Sequence, residues 1–257
     1  MDNYIFEYIK KYKPNVNFNE IKITNIDTAL SNYVYKVECK LETFILRIFG
    51  NPYYNIDLQI YLNKLNIYPK ILFSNNKFSI EEFVDGKQLT LKDFTNVNIY
   101  RKIAQKLKKI HKKNITHNDL HYNNLLIDKK DEIHILDFEF AKKNSTYKDK
   151  MLDICNLFCE WMYDYSKDNW YDLDINNFPS KEIQLDFLKY YDSNLDYQQS
   201  LKDINENLNI CHSNWIEWSI EKYKRTNNID YLLYCEKRIK VNKIINNKYI
   251  EIIYNLI

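Results

Sequence analysis

Glycine is almost missing from this chain: Gly50 and Gly86 are the only two in 257 residues. Any loop that must bring backbone amides close to a ligand has to do so with other small residues. The five cysteines, Cys39, Cys155, Cys159, Cys211 and Cys235, are odd in number and form no C-x-x-C pair. From that pattern neither a disulfide framework nor a zinc site is expected. No stretch approaches the length and apolarity of a membrane span. Met1 to Pro14 mixes Asp2, Glu7 and Lys10 to Lys13 into its apolar residues, so no signal-peptide core is expected. Net charge is lacking as well: 37 basic against 35 acidic residues give +2. Without a clustered basic excess, nucleic acid is not an expected partner. The expected compartment is a reducing cytoplasm.

What is present is apolar periodicity. At 45% hydrophobic residues the chain can bury one large core or two modest lobes. From Ile21 to Phe49 it alternates and is β-branched, which predicts two strands about Leu41–Glu42. Asp57 to Leu65 carries Leu58, Tyr61, Leu62 and Leu65 at helical spacing, ended by Pro69, and "KILFSNNKFSIEEFV" predicts two more strands. Beyond Gly86 the character changes. Val97 to Lys112 reads as helix, "NNLLIDKKDEIHILDF" as a second hairpin, and Met151 onward as mostly helix. The expected fold class is α+β, with a small β-rich domain over residues 1–82 and a larger helical one over 83–257.

The strongest chemical signal is His117-Asn118-Asp119, with Asn124 five residues after the aspartate and Asp137-Phe138-Glu139 after the run "IHIL". Phosphoryl transfer needs a carboxylate to orient an attacking hydroxyl and accept its proton, plus oxygen ligands that hold magnesium against ATP phosphates. Asp119 suits the first role, Asn124 and Asp137 the second. The hairpin between them brings two hard oxygen ligands from one local element.

These phrases, "HNDLHYNNLLI", "ILDFEF" and above all "DICNLFCEWMYDYS", resemble the choline/ethanolamine kinases, relatives of the aminoglycoside phosphotransferases. Further similarity lies in "FILRIFG", "NIYPKIL", "EEFVDGKQLT", "FPSKEIQLDFLKYY" and "NWIEWSIEKY". The resemblance implies a two-lobed protein-kinase-like fold, ATP and Mg2+ as co-reactants, and transfer of the terminal phosphate to choline or ethanolamine. That is the first step of phosphatidylcholine and phosphatidylethanolamine synthesis. It further implies that Arg47 contacts ATP phosphates, that Ser31 and Asn32 close the loop "DTALSN" over them, and that Glu82 and Val84 present the hinge to adenine. It leaves room for a homodimer.

On the acceptor side, the short connection after Asp137 lacks an A-P-E sequence, so a small substrate is favoured over a protein. Asp153, Glu160 and Asp164 are spaced by seven and four, which predicts one acidic helix face opposite Ile154, Phe158, Trp161 and Met162. Aromatic residues add to it, Tyr165 one turn on, Trp215 and Trp218 three apart, and Tyr231 in "IDYLLY", and aromatic faces attract quaternary ammonium. By resemblance, Glu160, Tyr165, Trp215, Trp218 and Tyr231 line the amine pocket and Asp153 braces the catalytic loop. Phe140 stands where the family usually has tyrosine. Two further departures are the glycine-free phosphate loop and Asn55, which occupies the place of the helix glutamate that pairs with the basic strand residue. Two rivals stay open: a kinase of another hydroxylated amine such as an aminoglycoside, and a non-catalytic pseudokinase.

Overall fold

The structure is a computed structural model, which describes residues 3–26, 32–40, 42–50 and 56–241. Its contacts separate two compact units: Met1–Lys87 with Ile127–Glu139, and Gln88–Leu126 with Phe140–Ile257. The linear reading divided the chain once, at 82/83; the contacts divide it near Lys87 and assign the later segment Ile127–Glu139 to the first unit.

The first unit begins with helix α1 (Asn3–Tyr12), followed by strands β1 (Lys22–Asn25), β2 (Tyr33–Cys39) and β3 (Glu42–Ile48), helix α2 (Ile56–Lys64), and strands β4 (Ile71–Ser74), β5 (Phe78–Glu82) and β6 (Gly86–Gln88). Five of these strands form an antiparallel sheet in the order β1-β2-β3-β5-β4. Alternation decides its faces. Val37, Phe44, Leu46, Phe78 and Ile80 point to one side and bury against Ile5 and Ile9 of α1. Helix α1 did not emerge from the sequence reading, although its two isoleucines, four apart, are what seat it. The other face of β3 and β5 carries Arg47 opposite Ser79, with Glu81 two residues further along.

The second unit is mainly helical. Helices α3 (Leu91–Phe94) and α4 (Val97–His111) precede strand β7 (Ile115–Thr116), with which the later strand β10 (Lys142–Lys143) pairs; strand β8 (Leu125–Asp128) leads into the segment assigned to the first unit, which carries β9 (Ile133–Ile135). Strands β6, β8 and β9 share a three-stranded sheet. Helices α5 (Tyr147–Glu160), α6 (Lys181–Tyr191), α7 (Tyr197–Glu206), α8 (Leu208–Thr226) and α9 (Asp230–Val241) follow. Helix α5 packs on α7 and α8, and α8 on α9. Several helices start on side-chain caps: Asn96 for α4, Thr146 in a capping box with Asp149 for α5, Ser180 for α6 and Asp196 for α7.

The scarcity of glycine has a visible consequence. Among the described residues, seven non-glycine positions have positive φ: Asn66, Asn114, Asn118, Asp131, Asp137, Asn144 and Asn227. All are Asn or Asp, the residues whose short polar side chains best tolerate the left-handed region. At Asn227 the left-handed residue ends α8, its amide donating to the Tyr223 carbonyl. Replacing Asn227 with alanine is therefore expected to cost about 1 kcal/mol, and replacing it with glycine to be neutral or stabilising. Urea denaturation of the two variants checks this; equal destabilisation would contradict it.

Candidate active site

Asp119 stands in the second unit on the short loop that follows β7. That loop is held from beneath by a buried carboxylate. Asp153, on the inner face of α5 and fully buried, accepts the His117 amide at 2.7 Å through Oδ2 and the Asn118 amide at 2.7 Å through Oδ1. Its Oδ2 also meets His111 Nε2 at 2.9 Å, whose Nδ1 lies 2.7 Å from the Tyr191 hydroxyl. Burial would raise the Asp153 carboxyl, but His111 and His117 with its amide outweigh it and hold it below its ordinary value. Asn118, left-handed at φ 65, turns the chain and donates its side-chain amide to the Phe140 carbonyl at 2.9 Å.

Downstream of Asp119 a 3-10 turn, Tyr122–Asn124, leads into β8. Asn124 Nδ2 donates to the Asp119 carbonyl at 2.9 Å and to its Oδ2 at 3.2 Å. The structure thus joins Asp119 and Asn124 directly. With the amide nitrogen so engaged, the Asn124 Oδ1 is the atom left for a cation. His121 Nε2 stands 3.8 Å from Asp119 Oδ2, and burial drives its pKa down to about 3, so the ring is neutral near pH 7.

Asp137 belongs to the first unit, two residues past the end of β9. It is left-handed at φ 55, and its Oδ1 is buried with no hydrogen-bond partner. A buried, unpaired carboxylate oxygen is costly in an apolar setting unless a cation completes it, so this residue fits a hard divalent ion. Next to it Phe138 packs edge-on against Tyr68 at 6.0 Å. The Tyr68 hydroxyl donates to Glu81 Oε2 at 2.8 Å, Ser79 donates to Glu81 Oε1 at 2.6 Å, and Arg47 Nε donates to the same Oε1 at 3.1 Å. Glu81 therefore supplies Arg47 with a buried carboxylate from the neighbouring strand. The position read as lacking its glutamate, Asn55, lies outside the described residues, as do Ala29 and Ser31. Sequence reasoning looked for the partner on the helix; the cross-strand register, Arg47 opposite Ser79, is the signal that points to Glu81.

Asn32 is buried, takes the Gly50 amide on Oδ1 at 3.3 Å and donates to Glu139 at 3.4 Å. The Glu82 amide donates to the Lys70 carbonyl at 2.8 Å, and the Val84 carbonyl accepts from Gly86 at 2.9 Å.

The acidic helix face read from the sequence is not an open face. Asp153 is spent on the loop, and Asp164 lies beyond the end of α5, where it accepts from Tyr122 at 3.2 Å and Ser166 at 2.6 Å. Glu160 is 1% exposed. Its Oε1 takes Arg238 Nη2 at 2.5 Å, and its Oε2 accepts the Tyr165 hydroxyl. Burial raises the Glu160 carboxyl against the pull of Arg238 and Tyr165. The residue that sequence reasoning missed is Arg238, seven after Tyr231 on α9. It is 0% exposed, with its guanidinium carbon 4.6 Å from the ring centroids of both Tyr163 and Tyr234 and 5.7 Å from that of Trp215. A lone arginine on the same face as Tyr231 and Tyr234 was the available sign.

The aromatic residues do come together. Phe140 meets Trp215 at 5.8 Å, Trp215 meets Trp218 at 5.4 Å, and Trp218 meets Tyr231 at 5.6 Å, all near edge-to-face. Trp215 Nε1 is fixed by Asn156 Oδ1 at 2.6 Å. Tyr165 stacks on Tyr163 at 5.8 Å and lies 5.2 Å from His121, the neighbour of Asp119. Phe140, at 40% exposed, is the most open of the set.

A sheet-based unit followed by a helical unit with this braced loop defines the protein-kinase-like α+β fold. The chain overlays a choline kinase from Cryptosporidium parvum Iowa II with a TM-score of 0.79 and 20% identity, over 97% of this chain and 95% of that one. It overlays an ethanolamine kinase from Plasmodium vivax with a TM-score of 0.78 and 19% identity, over 95% and 90%. The choline/ethanolamine kinase family profile matches residues 23–116 and 112–243. The chain belongs to the choline/ethanolamine kinase family. A choline/ethanolamine kinase from Mus musculus is 37% identical over 81 residues, 29% of this chain and 20% of that protein. The matched stretches span 20–35% of the choline and choline/ethanolamine kinases it aligns with. Among the described residues no helix is long and apolar enough to cross a membrane.

Asp153→Asn is expected to cost about 2–4 kcal/mol at pH 7, because buried amides lose a charged acceptor. A carboxyl lowered by folding stabilises fully above its unfolded value, about 3.9, and less as pH falls through the folded value. The difference between wild type and Asp153→Asn in urea should thus narrow below about pH 4. A difference that stays constant down to acid would show that the charge at Asp153 is not what matters.

Proposed function

We propose that the protein transfers the terminal phosphate of ATP to the hydroxyl of choline, ethanolamine or both, in the cytoplasm, as the entry step to the corresponding phospholipids. The observation that carries this reading is the Asp119 loop: a carboxylate 14% exposed, tied to Asn124 and braced from below by Asp153. Family membership supports the choice of acceptor. Asp119 orients the acceptor hydroxyl and takes its proton; the rigid loop keeps that oxygen in place through the reaction.

Asn124 and Asp137 would supply oxygen ligands to Mg2+, which would offset charge on the ATP phosphates. Arg47, kept in its rotamer by Glu81, contacts the phosphates. Asn32 borders the phosphate site, and the backbone of Glu82 and Val84 takes the adenine edge. On the acceptor side the ammonium rests against the faces of Trp215, Trp218 and Tyr231, with Phe140 and Tyr165 at the margin. Glu160, whose two oxygens are already engaged by Arg238 and Tyr165, fixes those two side chains and the field they experience rather than pairing with the ammonium itself.

The test is ADP release by the full chain with MgATP and choline, ethanolamine or an aminoglycoside at equal concentration. Stimulation by choline or ethanolamine, reduced at least about 100-fold by Asp119→Asn, is expected. ATP binding without stimulated release would instead favour the pseudokinase, and preference for the aminoglycoside would overturn the choice of acceptor. Trp218→Ala should weaken choline by about 2- to 30-fold in KM and ethanolamine less, since a primary ammonium can rely on hydrogen bonds. Equal losses for the two acceptors would count against the aromatic surface.

A further inference from the structure

In the second unit, away from the Asp119 loop, three sulfurs converge where α5 packs on α8, and an imidazole lies beside one of them. Cys155 and Cys159 lie four residues apart on one face of α5, and Cys211 and His212 are consecutive on α8. All four are buried, and no disulfide joins the cysteines. The three Sγ atoms lie within 4.8 Å of one another. His212 Nε2 is 3.9 Å from Cys159 Sγ, and its Nδ1 is buried without a hydrogen-bond partner.

We propose that Cys155, Cys159, Cys211 and His212 form a structural site for a thiophilic d10 cation, zinc foremost, that clamps α5 to α8. Zinc–sulfur bonds of about 2.3 Å set the sulfurs of a tetrahedral site about 3.8 Å apart, so the present spacing closes on an ion with small rotamer adjustments. Three thiolates with one imidazole is a recurrent closed ligand set, with no position left for water. Cysteine as small apolar filler explains burial, but not the meeting of three sulfurs from two helices beside a histidine with an unpaired nitrogen. The ion binds with loss of the thiol protons to solvent during folding, without any redox change. The pattern gave no C-x-x-C signature because its first pair sits one helical turn apart within a helix rather than on a knuckle.

This clamp would act on the two helices that carry Asp153 and the Trp215–Trp218 pair, so its role is to position them and not to touch a substrate. The test is metal content by mass spectrometry of the full chain expressed with zinc and desalted without chelator, followed by unfolding, chelation and refolding with Zn2+ or Co2+. About one zinc per chain is expected, and the Co2+ form should show sulfur-to-metal charge-transfer absorption with the visible bands of a tetrahedral site. Cys155→Ser and Cys211→Ser should lose the metal and the charge-transfer band, while Cys39→Ser, in the other unit, keeps both. His212→Ala with an unchanged cobalt spectrum would overturn the four-ligand assignment. Wild-type protein that refolds fully, takes up no zinc and gives no charge-transfer band overturns the site altogether.

Discussion

One buried carboxylate organises the chemistry of this protein. Asp153 has no water to stabilise its charge, so its oxygens must be satisfied by the protein, and they are satisfied by the backbone of the two residues immediately before Asp119 together with His111. A loop tied through its amides to a helix core cannot drift, and it presents Asp119 from a fixed base. The left-handed turn at Asn118 and the Asn124 contact then set which way that carboxylate faces. The placement of Asp119 is thus borrowed from helix α5, whose own position comes from packing on α7 and α8.

The same helix ends in another buried charge. Glu160 and Arg238 neutralise one another inside an aromatic enclosure formed by Tyr163, Tyr234 and Trp215. An internal guanidinium there occupies ring faces and a carboxylate of the kind that an amine substrate seeks. Trp218, Tyr231 and Phe140 lie outside that enclosure, and of these Phe140 is the most open. Such a pair is a weak source of stability, because desolvation offsets most of its attraction, but removing either partner would strand the other. Its effect is to fix the orientation of three aromatic side chains.

Near-absence of glycine shapes the molecule throughout. Tight turns that usually rely on glycine are made by Asn and Asp, and two of them are Asn118, next to Asp119, and Asp137, past the end of β9. At Asn118 one side chain both permits the turn and holds it, by donating to the Phe140 carbonyl. Arg47 shows a comparable economy: its carboxylate comes from Glu81 on the next strand, reached through sheet register.

Local structure was legible in the sequence: alternation in β2 to β5, helical period in α4 and the hairpin of β8 and β9, because each is a short-range pattern imposed by backbone geometry. The family phrases were legible for the same reason, being contiguous. Helix α1, the Glu81 partner of Arg47, the Arg238 partner of Glu160 and the meeting of Cys155, Cys159 and Cys211 were not. Each depends on which surfaces of distant segments pack together, and whether a charge such as Glu160 faces solvent or a buried guanidinium is decided by that packing alone.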